Sequence, residues 1–290
     1  MKTLARRVLL LVGLGLLLVA SAPVLAETSS VQTVLNNWHD AARNRDVPVK
    51  IYHPSKAAGP LPVIIFSHGL GGTRDGYEYL GRHWASHGYV SVHVQHLGSD
   101  DAVWKDSYLK MRAMRKAAAD PINAINRPKD VSFVIDQLER LNREDPIFEG
   151  RLDLNRIGVG GHSFGAFTTL AVAGETFITR RGQRLTATDP RVKAAMPMSA
   201  PVPRNESHYA EAFGSIRIPC FHMTGTLDES PINDTTAAQR RIPYDHANAA
   251  DQYLITFNGA DHMVFSGRGR MKGGENDAMF QGLIKQASQA

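Results

Sequence analysis

The stretch Gly161-His162-Ser163-Phe164-Gly165 decides the fold prediction for this chain of 290 residues. It matches the pattern G-x-S-x-G, in which a serine lies on a sharp turn between a β-strand and an α-helix. The turn holds the serine in strained dihedral angles, and glycines two positions away on each side avoid a collision. Five residues alone are a weak signal, so the interpretation depends on the flanking segments.

Those flanking segments supply the context that the pattern requires. Residues 156–161 are typical of a buried β-strand, and residues 164–173 predict an apolar helix that ends at Gly174. The N-terminus of this helix would face the serine and favour negative charge that develops there. We therefore interpret Ser163 as a nucleophile.

Apolar runs and helical patterns alternate along the rest of the chain. This alternation predicts an α/β fold with a mostly parallel central sheet and helices on both faces, with the active loops at the carboxyl ends of the strands. Further strands are predicted at 47–52, 61–66, 89–94, 192–198, 218–224 and 253–257, and helices at 74–87, 102–119, 129–142 and 275–287.

The chain length favours one domain over residues 27–290. The stretch 97–128 is long for a simple connection and predicts a lid-like insertion that walls a pocket. A peripheral insertion without contact to substrate is an equal alternative. Trp104, Tyr108 and Met111 would line an apolar pocket or form a small core of the insertion itself.

The first 26 residues differ from the rest of the chain. Three basic residues precede an apolar run at 8–20, and small residues then allow cleavage after Ala22 or after Ala26. This pattern predicts a signal peptide over 1–26 and export to the periplasm or the medium, with no stable membrane span after cleavage. An uncleaved membrane anchor is the alternative, and the shortness of the apolar run argues against it.

Charge and cysteine content exclude several classes of protein. The predicted signal peptide carries three cations of the net charge of +5, which leaves +2 on the mature chain. No cluster of Lys and Arg indicates a nucleic-acid site. Cys220 is the only cysteine, so an internal disulfide is excluded, and its apolar surroundings predict a buried thiol.

The sequence predicts no metal site and no cofactor. His93 and His96 have the spacing H-x-x-H, but residues three apart on a strand point to opposite faces. No third ligand accompanies them, so a structural role is favoured for this pair.

The oxyanion of a tetrahedral intermediate needs two N–H donors. The residue after the nucleophile, Phe164, would supply one. The glycine-rich loop that follows the strand at 61–66 would supply the other, and we assign it to Leu70. A glycine-rich turn without catalytic meaning is the alternative. His68 precedes the nucleophile in the chain, so a role in bracing this loop is predicted rather than one as the base.

The base is assigned to His262, which follows the predicted strand at 253–257 through a turn. A loop at this point of the fold would carry an imidazole to Ser163, where it accepts the serine proton and later protonates the leaving group. His222 lies in an apolar strand and predicts a core residue, whereas His208 and His246 lie in polar stretches.

The acid is assigned to Asp228, which follows the strand at 218–224 and would fix the tautomer of His262. Asp234 is the best rival because it shares the same loop. The other rival carboxylates are Asp189, Asp245, Asp251 and Asp261.

Three motifs carry a resemblance to a known family. The segments 66–72 (FSHGLGG), 85–89 (ASHGY) and 161–165 (GHSFG) resemble those of platelet-activating-factor acetylhydrolase-like and predicted dienelactone-hydrolase-like α/β-hydrolases. Residues 37–49 are similar to the N-terminal strand pair of the bacterial members. The resemblance covers roughly 31–266, nearly the whole predicted mature chain.

The resemblance implies an α/β-hydrolase fold and a cofactor-free carboxylic ester hydrolase of the esterase or lipase type. It implies Ser163 and His262 as members of a catalytic triad, with Leu70 and Phe164 as oxyanion donors. The expected substrate is an ester that is a small molecule, a lipid or a polymer. A peptidase, thioesterase or amidase on the same triad is the alternative. A catalytically silent binding protein is disfavoured by the complete set of residues.

Two departures from the family pattern bear on the substrate. In the animal acetylhydrolases the acid follows the strand directly after the nucleophile helix, but here that strand ends at 196–200 without an acid. The acid has moved one strand on, to Asp228, which weakens the inference of a phospholipid substrate. Dienelactone hydrolase uses a cysteine nucleophile, and Ser163 in its place weakens a lactone-specific interpretation.

Overall fold

The structure is a computed structural model that describes residues 30–56, 59–179, 181–267, 274 and 276–289. The predicted signal peptide at 1–26 lies outside these residues. Within the described ranges, no helix combines the length and the apolar character that crossing a membrane requires.

Eight strands form one central sheet in the order β1-β2-β4-β3-β5-β8-β9-β10, and β6 pairs with β7 in a separate antiparallel hairpin. Strand β2 runs antiparallel to both β1 and β4, and the pairs from β4 to β10 are parallel. The predicted mostly parallel sheet is therefore confirmed, with an antiparallel N-terminal edge. The strands are β1 (Val31–Asp40), β2 (Arg45–Pro54), β3 (Leu61–Ser67), β4 (Val90–Val94), β5 (Leu152–His162), β6 (Thr176–Ile178), β7 (Arg184–Thr186), β8 (Val192–Met198), β9 (Cys220–Leu227) and β10 (Gln252–Asp261).

Helices cover both faces of the sheet, as predicted. Helices α1 and α8 contact each other on one face, and α4 and α5 contact each other on the other. The helices are α1 (Glu78–Ser86), α2 (Ala102–Lys105), α3 (Lys110–Ala119), α4 (Pro121–Glu144), α5 (Phe164–Ala173), α6 (Tyr209–Phe213), α7 (Ile242–His246) and α8 (Asp277–Ala287).

Alternate side chains of β3 pack into different hydrophobic cores on the two faces of the sheet. On β3, Val63 and Ile65 point toward α4, where Leu138 is fully buried against them. Phe66 points to the opposite face and packs against Trp84 of α1, with ring centroids 5.8 Å apart. Each such side chain stabilises the fold by about 1.5–3 kcal/mol, and a slip of one residue would exchange the two faces.

The predicted helix at 102–119 is wrong as a single element. The structure has two helices, α2 and α3, with a break between them at which Tyr108 is fully exposed and Leu109 is largely exposed. A continuous helix would be possible for this composition, so local propensity does not reveal the break.

The predicted helix at 129–142 is part of a longer helix that begins at Pro121. The Asp120 carboxylate caps its N-terminus by accepting from the Ile122 N–H at 2.9 Å. Pro128 lies inside this helix rather than before it. A proline removes one hydrogen bond from the helix, so the sequence pattern places the start too late.

The order of the strands determines where a site can form. Strand β3 lies between β4 and β5, so the chain changes direction across the sheet at this point. In such sheets a crevice opens beyond the carboxyl ends of the strands. The loop after β3 and the turn after β5 both meet in that crevice.

Candidate active site

Ser163 occupies a strained turn between β5 and α5, with φ 57° and ψ −115°. A side chain at Gly161 would collide with the backbone oxygen of Gly165, and one at Gly165 would collide with that of Ser67. The two glycines of the motif are therefore required by close backbone approach. This geometry is the local structure that the five-residue pattern predicted.

Ser163, His262 and Asp228 form one chain of hydrogen bonds. The distance from His262 Nε2 to Ser163 Oγ is 2.9 Å, and that from His262 Nδ1 to Asp228 Oδ1 is 2.7 Å. Because an ionised carboxylate only accepts, Nδ1 carries the proton and Nε2 is left to accept from the serine hydroxyl. Asp228 is fully buried and His262 is 6% exposed. The structure thus brings together the three residues that the sequence assigned to separate roles.

Asp228 is held by groups that sequence reasoning missed. The Thr224 hydroxyl donates to Asp228 Oδ2 at 2.8 Å, and Arg240 Nε donates to the Asp228 carbonyl at 3.1 Å. Arg240 also donates to the carbonyls of Ser199 and Ala200. The arginine is buried, and this burial lowers its pKa. It lies in a polar stretch without periodicity, so no signal in the sequence marks it as internal.

The residues that were alternatives to Asp228 as the acid and to His262 as the base lie elsewhere or have other partners. Asp234 is exposed, and His222 is buried against Gln252, with 2.9 Å between His222 Nε2 and Gln252 Oε1. Asp261 accepts from the Met263 N–H at 2.8 Å. Asp189 pairs with Arg191, Asp245 pairs with Arg241, and Asp251 is exposed.

Leu70 lies in a tight turn next to Ser163. The Gly72 N–H donates to the Gly69 carbonyl at 3.0 Å across the turn, and Gly71 adopts φ 70°. The amides of Gly69, Gly71 and Gly72 all donate within the protein. Within the described part of the chain, the Leu70 N–H is the amide of this turn without such an acceptor. Phe164 is the first residue of α5, where N–H groups have no partner inside the helix.

Two side chains tie this turn to the nucleophile. The Tyr77 hydroxyl accepts from the Gly69 N–H at 3.2 Å and lies 2.8 Å from His162 Nδ1, beside Ser163. His68 Nδ1 lies 2.6 Å from the Gly69 carbonyl, and its Nε2 accepts from the His96 N–H at 3.0 Å. His68 therefore braces the loop, as the chain order led us to expect.

Arg127 of α4 connects both predicted donor segments. Its guanidinium is fully buried, donates to the His68 carbonyl and to the Thr168 hydroxyl, and lies 4.6 Å from the centroid of the Phe164 ring. Burial lowers the pKa of Arg127 to about 9. The sequence analysis missed this residue because it placed the helix start after Pro128.

Two cavities flank Ser163. One has a volume of about 170 Å³ and is bordered by Met111 and Met114, and the other has about 210 Å³ and is bordered by Ala118 and Ala124. All four residues belong to the stretch 97–128, which therefore forms part of the cavity walls. In the same stretch, Trp104 Nε1 donates to the Gly71 carbonyl at 2.9 Å, whereas Tyr108 is exposed.

A further cavity of about 420 Å³ lies far from Ser163. It opens at the amino ends of β3, β5 and β8, and its lining is mostly apolar. Arg156 and Lys193 are its charged residues, so it combines no nucleophile with a base. We therefore assign the candidate site to the smaller cavities beside Ser163.

The described residues contain neither a cluster of metal ligands nor an exposed thiol. Among the described residues, no group of three His, Cys, Asp or Glu side chains is placed to hold a metal ion. Cys220 is buried, and this burial raises the pKa of its thiol to about 12. It is a packed side chain of β9, as its apolar surroundings predicted.

Comparison with known proteins relates this geometry to a family. A family model described as "Platelet-activating factor acetylhydrolase, isoform II" matches residues 22–144, a segment that includes Leu70 and ends before Ser163. Platelet-activating factor acetylhydrolase of Cavia porcellus is 29% identical over 158 residues, which are 44% of this chain and 35% of that protein. The protein of Canis lupus familiaris is 29% identical over 168 residues, 48% of this chain and 38% of that protein. The matches span little more than a third of these relatives.

A solved structure named "Putative Dienelactone Hydrolase", from Klebsiella pneumoniae, has a TM-score of 0.60 and covers 89% of this chain and all of its own. Its sequence identity is 17%, so this likeness concerns the fold. The chain has an α/β-hydrolase fold. It resembles the platelet-activating factor acetylhydrolases over its N-terminal half and the dienelactone hydrolases in overall fold, as the three motifs predicted.

Proposed function

We propose that this chain is an exported serine hydrolase that cleaves carboxylic esters. The observation that carries the proposal is the hydrogen-bonded chain from Ser163 Oγ through His262 to Asp228, with distances of 2.9 and 2.7 Å, at the wall of two cavities. The names of the similar proteins, an acetylhydrolase and a dienelactone hydrolase, favour ester chemistry over amide chemistry. Export is supported by the signal-peptide pattern at 1–26.

The mechanism follows from the positions of the protons. His262 Nε2 accepts the hydroxyl proton of Ser163 while Oγ attacks the ester carbonyl carbon. The imidazolium that forms is stabilised by the buried Asp228 carboxylate. The carbonyl oxygen becomes an oxyanion, which the N–H groups of Leu70 and Phe164 would bind.

The second half of the reaction uses the same groups in reverse. His262 donates its proton to the departing alcohol, and the acyl group remains on Ser163 as an ester. Water then enters, and His262 Nε2 removes its proton while the water oxygen attacks the acyl carbon. The bond to Ser163 Oγ breaks, His262 returns the proton to Oγ, and the acid is released. Tyr77, His68 and Arg127 would hold the oxyanion loop in place, because their hydrogen bonds fix the two peptide groups that lead up to Leu70.

The cavity sizes favour esters with short groups on each side of the carbonyl. Two cavities of about 170 and 210 Å³ border Ser163, and Leu70 and Ile232 also border both. Drug-sized ligands occupy pockets of about 300–1,000 Å³, so each cavity suits a smaller group. We propose acyl and alcohol groups of a few carbon atoms for the preferred substrates.

The test is hydrolysis of a p-nitrophenyl ester series from acetate to laurate by the mature protein. We expect turnover that is highest for the short esters, with a fluorophosphonate label on Ser163 located by peptide mass spectrometry. The Ser163→Ala variant should have a kcat about 10³-fold or more below that of the wild type. Ser207→Ala, at an exposed position, is the control. A wild-type protein that hydrolyses no ester and is not labelled would refute the proposal.

The same protein distinguishes the alternative activities. Aminoacyl-nitroanilides and acyl-thioesters with matching acyl groups report peptidase, amidase and thioesterase activity. We expect the oxygen esters to have the highest kcat/KM. A preference for an anilide or a thioester would leave the triad in place and reassign the substrate.

A further inference from the structure

A second pocket lies beyond the cavity at Ser163 and contains a buried carboxyl group. Its volume is about 190 Å³, roughly six times the ~30 Å³ that a water molecule occupies in the liquid. It shares Phe167 and Pro201 with the 210 Å³ cavity that borders Ser163. We infer that this pocket binds a positively charged ammonium group of the ester substrate, with Glu175 as its counter-ion.

Glu175 is buried without a cation beside it. Its side chain is 4% exposed and borders the pocket. Among the residues that the structure describes, none forms an ion pair with this carboxyl group or donates a hydrogen bond to it. The ionised form of an isolated buried carboxyl group is costly, and a positive ligand beside it would lower that cost.

The end of α5 adds negative potential at the same place. Glu175 follows the last turn of this helix, where Gly174 adopts φ 122° and the Glu175 N–H donates to the Leu170 carbonyl at 2.9 Å. This hydrogen bond fixes the position of the Glu175 backbone. The C-terminus of a helix carries partial negative charge, which favours cations and disfavours a carboxylate.

Aromatic rings complete the pocket. Phe167 and Phe177 border it, and their ring centroids lie 5.1 Å apart. The face of an aromatic ring attracts a cation, most strongly where water is excluded. A carboxyl group, a helix C-terminus and two rings together favour an ammonium ion over a neutral alkyl group or an anion.

Phe167 lies one helical turn after Ser163 and borders both this pocket and the 210 Å³ cavity at Ser163. This inference rests on the proposed esterase function, because it makes the ammonium group part of the substrate whose carbonyl reacts at Ser163. It narrows the substrate class to esters with a cationic group at the end of a short chain.

Proton release at Glu175 gives the binding a pH dependence. Burial raises the pKa of Glu175 to about 8, so the carboxyl group is mostly neutral at pH 7. A bound cation requires the ionised form, so its affinity should rise with pH, by up to about tenfold per pH unit below pH 8. His208 is the other titratable side chain among the described residues that border the pocket.

The experiment compares ligands of equal shape that differ in charge. Butyl-, hexyl- and octylammonium are titrated against butanol, hexanol and octanol, in which a hydroxyl group replaces the ammonium group. Binding is followed by ligand-observed NMR on the Ser163→Ala protein, which needs no turnover. Glu175→Gln is the test variant and Glu144→Gln, which removes the same charge from an exposed helix position, is the control.

We expect at least one ammonium ion to bind about tenfold or more tightly than its matched alcohol, as for a hydrogen bond to a charged group. Glu175→Gln should abolish this preference and its pH dependence, while Glu144→Gln should retain both. Equal binding of ammonium and alcohol, or a preference that survives Glu175→Gln, would overturn the inference. Hydrolysis of p-nitrophenyl butyrate by the wild type is measured in parallel, so failure of the esterase proposal is seen separately.

Discussion

In the part of the molecule that the structure describes, two hydrogen-bonded chains lead from an aspartate through a histidine to a serine. One is Ser163–His262–Asp228, at the cavities described above. The other is Ser67–His96–Asp130, in which His96 Nε2 lies 3.0 Å from Ser67 Oγ and His96 Nδ1 lies 3.0 Å from Asp130 Oδ2. In both chains a carboxylate fixes the tautomer of the imidazole, so distances alone do not distinguish them.

The two serines differ in backbone and in access. Ser163 lies at φ 57° on a turn and borders two cavities. Ser67 is the last residue of β3 and is fully buried, as are His96 and Asp130. A nucleophile must reach a substrate carbonyl. The second chain has the hydrogen-bond pattern of a triad, but its serine is buried and a substrate cannot reach it.

The two aspartates also differ in their cations. Asp228 has one arginine nearby, with 3.4 Å between Arg240 Nε and Asp228 Oδ1. Asp130 accepts from Arg43 at 2.7 Å and from Arg45 at 2.8 Å, in addition to His96. Burial alone would raise the pKa of Asp130, but the hydrogen bonds from His96 and Arg45 outweigh it and hold the pKa well below its usual range.

These differences indicate that the hydrogen-bonded chain Ser163–His262–Asp228 is reactive and that Ser67–His96–Asp130 is structural. The second chain joins β3, the loop after β4 and α4, and it fixes Ser67 directly before the loop that carries Leu70. We therefore expect mutations in Ser163–His262–Asp228 to affect turnover, and mutations in Ser67–His96–Asp130 to affect stability.

The largest effect is expected for Asp228→Asn, which should lower kcat for p-nitrophenyl butyrate by about 10⁴-fold. The amide would no longer hold the tautomer in which His262 Nε2 accepts the serine proton. The measurement is steady-state kinetics, and near-ultraviolet circular dichroism shows whether the fold is retained. Asp234→Asn, on the exposed side of the same loop, is the matched control. If Asp234→Asn lost the activity instead, Asp228 would not be the acid.

Asp130→Asn should lower the free energy of unfolding by about 3 kcal/mol or more, because it removes the buried charge that pairs with Arg43 and Arg45. The kcat of the folded protein should stay within about tenfold of wild type, or ~1.4 kcal/mol. Urea unfolding at pH 7 measures the first quantity. The control Asp153→Asn breaks an ion pair with Arg156 at the surface and should cost less than about 1 kcal/mol. A loss of kcat as large as that of Asp228→Asn would remove the distinction between the two chains.

The sequence predicts the hydrogen-bonded chain Ser163–His262–Asp228 far better than Ser67–His96–Asp130. Ser163 is marked by glycines that only a tight turn requires, and His262 and Asp228 each follow a predicted strand. These signals are local in the chain, and the order of nucleophile, acid and base in the fold completes them. The sheet was predictable for the same reason, because apolar runs of β-branched residues mark its strands.

The second chain depends on contacts between distant segments. Asp130 lies on a helix whose start was placed too late, and its partners Arg43 and Arg45 precede it by more than eighty residues. Polar residues at such positions also fit an exposed helix face. Arg127 and Arg240 were missed on the same grounds, because burial of a charge follows from tertiary packing and not from local pattern.

Histidine burial predicts how stability changes with pH. Burial, followed by the charge of Arg127, lowers the pKa of His96 to about 4, and burial lowers those of His93 and His222 to about 4. The unfolded chain binds protons at these histidines below about pH 6.5, while the folded chain does not until pH 4. Stability should therefore fall as the pH drops from 6.5 toward 4, by about 2 kcal/mol for each histidine at pH 5.

Urea unfolding at pH 8, 6.5 and 5 measures this loss. His96→Gln should destabilise the protein at pH 8 but should reduce the further loss between pH 6.5 and 5 by about 2 kcal/mol, because one titrating group is gone. His222→Gln, outside both chains, should reduce it by a similar amount. An unchanged slope in His96→Gln would show that His96 does not remain neutral in the folded protein.

The smallest effect is expected for Ser67→Ala, the counterpart of the nucleophile substitution. It removes the hydroxyl that donates to His96 Nε2 and leaves this buried nitrogen without its partner, at a cost of about 1–2 kcal/mol. We expect kcat to change by less than about threefold, since Ser67 does not border the cavities at Ser163. Steady-state kinetics and urea unfolding on the same preparation give both numbers. A kcat that fell with KM unchanged, in a protein that is as stable as wild type, would assign the second chain to the reaction, because a purely structural hydrogen bond lowers stability before it lowers turnover.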